Sequence, residues 1–248
     1  MPTLMLRESL ISYDGTARHY TVPSYIRNIA DRAFFDTATL QRLTLPGRMD
    51  RIGDEAFRSC FNMKRIDLPA EAETVGSDLF RDCRSLTEVS LPAGTVSIGY
   101  GMFQNCISLR SLAIPDTVGS IEPGGLSGCE GLRELYISPE RLELLPVKYL
   151  STALITYMEN HTSDGGSRRV DGFAEKIGLP IAEQAVEENR RNAVLYLFDH
   201  SLIQAADIPR LLERADRSGN TEIAAILLEN SQPEEGEAML DWDPFADL

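Results

Sequence analysis

The sequence predicts an α/β protein: a parallel-strand solenoid of five coils over residues 26–139, a β-hairpin cap before it and an all-α helical domain after it. Three observations predict this. Six apolar columns recur every 23 residues without an insertion. Each unit closes on alternating apolar residues followed by proline, the mark of a short strand with one buried face. Beyond residue 140 the apolar spacing changes from two to three or four, as on a helix. The chain thus divides into a cap over 1–25, five repeats over 26–139, a helical domain over 140–231 and an acidic tail over 232–248.

The repeats carry most of the argument. One column is Ile29, Ile52, Val75, Ile98, Ile121, and a second is Phe34, Phe57, Phe80, Phe103, Leu126. A third is Thr37, Cys60, Cys83, Cys106, Cys129. Leu40, Met63, Leu86, Leu109, Leu132 follow, then Leu43, Ile66, Val89, Leu112, Leu135, then Leu45, Leu68, Leu91, Ile114, Ile137. Pro46, Pro69, Pro92 and Pro115 close four units, and in the fifth the proline slips to Pro139. The Ile-Gly steps at Ile52-Gly53, Val75-Gly76 and Ile98-Gly99 read as bends. The Ala-Phe-x-x-Cys segment, as in Ala56 to Cys60, has the spacing of one or two helical turns that hold Phe and Cys inward. One such unit cannot bury its apolar face alone, whereas stacked units cover one another. Their strands then align at about 4.8 Å per coil.

These residues resemble the leucine-rich repeats of the BspA-like bacterial type, whose Ile-Gly, Ala-Phe, Cys, Leu-x-x-Ile-x-Leu-Pro pattern is matched from Ile52 to Pro69 nearly position for position. The resemblance covers slightly under half the chain and implies a curved leucine-rich-repeat solenoid with its parallel sheet on the concave side. Two departures stand in the fifth unit, Glu122 for the bend glycine and Gly125-Leu126 for Ala-Phe, so that unit reads as a transition into another domain.

The cysteine column has two readings. It is a stack of buried thiols acting as small, weakly hydrogen-bonding apolar groups, or it is a disulfide or metal ladder. Its 23-residue spacing is no metal-ligand spacing, and parallel side-chain vectors suit a bridge poorly. Thr37 in the same column favours packing.

Both ends of a solenoid need covering. At the N-terminal end, Leu10 to Ser12 and Tyr20 to Val22 flank Asp14-Gly15, which predicts a hairpin turning there. At the other end, helical segments run over 148–160, 170–177, 181–188, 192–200, 208–216 and 221–229, with loops at 163–167, Gly178, Asn189, Ser201 and Gly219. Residues 185–201 align with 215–231 at an offset of 30, which resembles ankyrin-type helix pairs, although the Thr-Pro-Leu-His start is missing; a generic helical cap is the other reading. The tail, with Trp242 and Phe245 among acids, reads as a disordered end or as a short docking motif.

Charge and composition narrow the function. A formal charge of −14 gives no general attraction to nucleic acid or anionic membranes. No apolar run reaches the roughly 18 residues a bilayer span needs. Met1 to Glu8 does not read as a secretion signal, so the expected place is the cytoplasm, with the cell surface as the alternative if a leader has been removed. His19, His161 and His200 lie in three separate segments, and neither a phosphate loop nor a nucleophile elbow occurs. Neither cofactor nor metal is expected, and catalysis is not.

What remains is the outward side of the strands. One column there is Arg42, Arg65, Glu88, Ser111, Glu134; the next is Thr44, Asp67, Ser90, Ala113, Tyr136; and Arg110 and Arg133 flank them. The face is basic at its first two coils and acidic towards the last. Arg42, Arg65, Asp67, Glu88, Arg110, Arg133, Glu134 and Tyr136 are therefore the candidate contacts for a protein or peptide partner. A scaffold of this kind is the leading expectation. A surface or secreted adhesin, an enzyme seated in the helical domain, and a merely solvated face are the alternatives.

Overall fold

The computed structural model describes residues 3–161 and 166–231, so the aromatic tail motif and most of the 163–167 loop lie outside the described residues. The chain divides into two units, Met1–Thr156 and Tyr157–Leu248.

In the first unit each period supplies two short strands. Along the chain these are β1 (Leu4–Leu6), β2 (Ser9–Ser12), β3 (His19–Thr21), β4 (Asn28–Ile29), β5 (Arg42–Thr44), β6 (Arg48–Ile52), β7 (Arg65–Asp67), β8 (Glu71–Val75), β9 (Glu88–Ser90), β10 (Ser97–Ile98), β11 (Ser111–Ala113), β12 (Ser120–Ile121) and β13 (Glu134–Tyr136). Every second strand from β3 to β13 joins one six-stranded sheet, and all its pairings are parallel. The other strands form a ladder β1-β2-β4-β6-β8 and a separate pair β10-β12. Leu43, Ile66, Val89, Leu112 and Leu135 follow one another in register and are all buried. They form the single interior stack that the 23-residue period demands.

The hairpin is not where the Asp-Gly step places it. It turns at Arg7-Glu8 between β1 and β2, the antiparallel pair, and Arg7 takes a φ of 55° there. The segment around Asp14-Gly15 is instead a sixth coil. Leu10 pairs with Ile29, 19 positions on, whereas Tyr20 pairs with Leu43, 23 positions on. The first coil is thus four residues shorter than the others, which hid it from a fixed period. Tyr13 fills the space, its ring 4.5 Å from Tyr20 and 5.1 Å from Phe34.

The Ala-Phe-x-x-Cys segment is not helical either. It is a run of tight turns whose N–H groups alternate between two kinds of acceptor. Phe35 and Thr37 donate three residues back, to Arg32 and Phe34, while Arg32, Phe34 and Asp36 donate to Asp54, Ala56 and Arg58 of the next coil. Two columns sit in the left-handed region: Arg32, Glu55, Asp78, Gly101, Gly124 and Asp36, Ser59, Asp82, Asn105, Gly128. A run of α-helix would turn these N–H groups inward; the left-handed steps aim them at the neighbouring coil.

Side chains reinforce that stacking. The rings of Phe34, Phe57, Phe80 and Phe103 follow at 5.5, 5.6 and 5.6 Å. Cys60 donates its S–H to the Phe34 carbonyl at 3.1 Å, and Cys83, Cys106 and Cys129 do the same to Phe57, Phe80 and Phe103 at 3.0, 3.1 and 3.2 Å. Thr37, at the head of the column, uses its hydroxyl on the same Phe34 carbonyl at 2.7 Å. All four thiols are free and buried, which makes the column a packing and hydrogen-bonding ladder.

The fifth 23-residue unit, expected to be a transition, is a complete coil whose β12 and β13 pair like their predecessors. A 3-10 segment, Pro139–Leu144, and α1 (Val147–Asn160) follow it. They satisfy end groups that a further coil would otherwise meet. The Tyr149 hydroxyl accepts from the Cys129 N–H and donates to the Leu126 carbonyl. The Thr156 hydroxyl accepts from the Leu135 N–H at 3.0 Å, and Arg141 donates to the Val118 carbonyl.

In the second unit α2 (Arg168–Ile177) precedes two helix pairs, α3 (Leu179–Glu187) with α4 (Arg191–Asp199) and α5 (Ile208–Arg217) with α6 (Thr221–Glu229). The first helices of the pairs pack on each other, as do the second. The offset of 30 is carried into the turns. Asn189 and Gly219 have φ of 56° and 70°, and the next N–H, of Arg190 or Asn220, reaches back to Ala185 or Ala215 at 2.8 and 2.9 Å. Ala185, Ala193, Ala215 and Ile223 are fully buried at the contact.

Candidate interaction surface

Alternation along each strand turns one side chain in and two out, so the six-stranded sheet presents two parallel columns. His19, Arg42, Arg65 and Glu88 are consecutive in the first, which continues through Ser111 to Glu134. Thr21 and Thr44 open the second, which runs through Asp67 and Ser90 and ends with Ala113 beside Tyr136.

Arg65 sits at the centre of the charges. Its guanidinium lies 2.9 Å from Glu88 and 3.3 Å from Asp67, with a second hydrogen bond to Asp67 at 3.4 Å. The hydrogen bond to Asp67, the charge of Asp67 and that of Glu88 raise its pKa further above the ordinary arginine value. Arg42, next to it in register, forms no ion pair among the described residues. At the far end the Tyr136 hydroxyl donates to Glu134 at 3.3 Å.

Five of the eight sequence-predicted residues meet in one groove. Arg65, Asp67, Glu88, Glu134 and Tyr136 line a hollow of about 470 Å³ whose floor includes Ser90, Ser111 and Ala113. Arg42 lines an adjoining hollow of about 350 Å³ with Thr44, Arg65 and Asp67. Arg110 and Arg133 are not brought to either: they line a separate depression with Thr87, Ile107, Ser108 and Gly131. Their position before the strand, rather than on it, explains the separation. His19 and Thr21 extend the face by one coil and were missed in the sequence; Pro23, which stands 23 residues before Pro46, is the signal that marks their strand.

Other chemistry-bearing groups are engaged elsewhere. His200 Nδ1 lies 3.0 Å from Asp171, which also accepts from Tyr196 at 2.8 Å, and His161 Nδ1 lies 2.8 Å from the Tyr157 carbonyl. Burial pushes the Cys60 and Cys129 thiols up to about 12, and Cys83 and Cys106 well above the ordinary thiol range. Among the described residues no three His, Cys, Asp or Glu side chains group as metal ligands, and no helix is long and apolar enough to cross a membrane.

The described geometry has relatives. A leucine-rich repeat protein of T. pallidum is 27% identical, with a TM-score of 0.51 over 53% of this chain and 64% of its own. A leucine-rich cell surface protein of Faecalibacterium prausnitzii is 25% identical, with a TM-score of 0.52 over 55% of this chain and 37% of its own. The chain therefore spans less than two thirds of either relative. No curated protein matches it. The family model for the BspA type leucine-rich repeat region matches residues 10–134 in six copies, as many as the coils counted in the fold, the short first one included. The chain belongs to the BspA type leucine-rich repeat family.

Proposed function

We propose that the protein is a non-catalytic interaction module that binds a protein or peptide partner on its six-stranded face. One observation carries this reading: Arg65, Asp67, Glu88, Glu134 and Tyr136 converge on one groove that crosses β7, β9, β11 and β13. Such a groove suits an extended segment or a protruding loop. Arginine and tyrosine supply much of the binding energy in interfaces, and a face graded in charge orients a partner of opposite grading. Arg42, without an internal ion pair, supplies the basic end. Repeat proteins of this kind commonly use extended surfaces for binding.

The test is affinity capture from the native cell with wild type, Arg42→Glu, Arg65→Glu and Tyr136→Ala, each first checked for native circular dichroism. The partner retained by wild type should be lost or reduced with the variants. An unchanged partner set removes this face from the account.

The cytoplasm is the proposed place of action, since four free, buried thiols suit a reducing compartment. A surface protein is the second reading, favoured by the F. prausnitzii relative described as a cell surface protein. Cell fractionation separates the two.

A further inference from the structure

The turn side of the solenoid ends in a row of backbone donors. In three successive coils the N–H groups of Arg32, Phe34, Asp36, then Glu55, Phe57, Ser59, then Asp78, Phe80, Asp82 donate to carbonyls of the following coil at 2.8–3.1 Å. In the fourth, Phe103 and Asn105 still do so, both at 2.8 Å. The same positions in the last coil are Gly124, Leu126 and Gly128. Among the described residues no acceptor meets their N–H groups. Leu126 is 1% exposed, so its N–H lies where an unmet donor is costly.

A groove of about 600 Å³ opens beside this row, walled by Pro123, Leu144, Leu145, Pro146 and Tyr149. Three glycines shape it. Gly125 and Gly128 replace columns that elsewhere read Ala33, Ala56, Leu79, Met102 and Asp36, Ser59, Asp82, Asn105, while Gly124 continues a column of Arg32, Glu55 and Asp78 that is already glycine at Gly101. Side chains are stripped where the next coil would have stacked, which leaves the Gly124 and Gly128 donors half-exposed at the groove while Leu126 lies buried between them. The rim does not favour a free anion, because Glu122 and Glu130 stand there and Lys148 is already paired with Glu130 at 2.6 Å.

We propose that this end groove binds an extended peptide segment of a partner, centred on a small residue followed by an aromatic one. Its carbonyl oxygens take the N–H groups of Gly124 and Gly128, the two half-exposed donors on either side of the buried Leu126. The solenoid itself specifies that chemistry: Asp54, Ala56 and Arg58 present their carbonyls in this way to the coil before them, with Phe57 packed beneath. The contact is strand-edge addition transferred to a turn ladder. It is separate from the six-stranded face and does not depend on that face binding anything.

The probe is a nine-residue peptide of residues 53–61 carrying C60T, titrated into the isotopically labelled full chain. The amide resonances of Gly124 and Gly128 should shift, and their hydrogen exchange should slow. Gly124→Asp should weaken binding about tenfold, because it sets a carboxylate against the incoming carbonyls at the cost of roughly one hydrogen bond to charge-repelled backbone. At φ +79° an aspartate at position 124 carries backbone strain, but Asp78 holds the equivalent left-handed position and the nearest atom to an added Cβ is 3.9 Å away, so space is not the obstacle. Leu144→Gln, on the opposite wall, should weaken binding as well, and Tyr136→Ala should not. Unchanged amides at Gly124 and Gly128, or changes confined to the six-stranded face, overturn the proposal. Protection that grows with protein concentration in the absence of peptide also overturns it, in favour of a second copy of the chain.

Discussion

The solenoid and the helical unit satisfy their backbones in opposite ways. A coil sends its N–H groups out to the next coil, as Phe34 does to Ala56 and Phe57 to Leu79. A helix keeps them within itself, so contacts between helices fall to side chains. Asn220 donates to the Val186 carbonyl at 2.6 Å and Asn192 to the Glu159 carbonyl at 3.2 Å, while the Glu159 carboxylate accepts from the Ala193 N–H at 3.0 Å. Where the backbone itself is shared, every coil must keep the same residue in the same place, and columns result. Where single polar side chains make the tie, only those positions are fixed, and the repeat is faint.

The largest expected effect follows from the shared backbone. Phe80 is fully buried between Phe57 and Phe103, both 5.6 Å away. Phe80→Ala should cost about 3–5 kcal/mol, read from the midpoint of urea unfolding. Because each coil is held by its neighbours, hydrogen exchange should rise across all the coils together. Exchange raised only around residue 80 would show that the coils open singly and that the contrast with the helices is smaller than drawn.

The contrast also explains what the sequence disclosed. The interior stack from Leu43 to Leu135 was legible because each coil-to-coil contact demands an aliphatic side chain at a constant interval. The first coil was not, because the four residues missing between Leu10 and Tyr20 break that interval, although Pro23 preserves its end. The turn ladder was misread as helix because Phe and Cys three residues apart suit both. Asp36, Ser59, Asp82, Asn105 and Gly128 carry the discriminating signal, a column of residues that tolerate φ above zero. On the six-stranded face, alternation turns Arg42, Arg65, Asp67, Glu88, Glu134 and Tyr136 outward, and the strands hold them so. Arg110 and Arg133 precede their strands, where alternation no longer fixes direction.

The thiol ladder gives the next effect. The folded state holds Cys60 and Cys129 up to about 12 by burial, whereas an unfolded thiol ionises near its ordinary value of 9. Above that value the unfolded chain releases protons that the folded one retains. Stability is therefore full below about pH 9 and falls as pH rises towards 12. Cys60→Thr, which copies Thr37, should flatten this fall while leaving stability at neutral pH near wild type. An unaltered slope in denaturant titrations at pH 8 to 10 would mean that the thiols reach solvent before global unfolding. The helical unit contains no cysteine, so it supplies the internal control.

A smaller loss is expected in the helical unit. Asn220→Ala removes the donor to the Val186 carbonyl and should cost about 1 kcal/mol. Hydrogen exchange should rise in α3 and α6 and leave the coils unaffected. A loss as large as that of Phe80→Ala would show that one side-chain bond bears as much of the helical unit as the aromatic stack bears of the solenoid.

The smallest effect on folding should come from the residue with the most ion-pair contacts on the face. Arg65 meets Asp67 and Glu88, yet its side chain is 53% exposed and theirs are 62% and 58% exposed. Water and salt screen such pairs, and ordering three long side chains opposes the attraction that remains. Arg65→Gln should leave the thermal midpoint where it is, at low salt and at high. If the face is used as proposed, the same substitution should release the partner, because binding desolvates the guanidinium and removes the screening that made it dispensable. A thermal midpoint that falls with Arg65→Gln by as much as with Asn220→Ala would assign the triad to holding β7 against β9, and the groove would lose its claim to a partner.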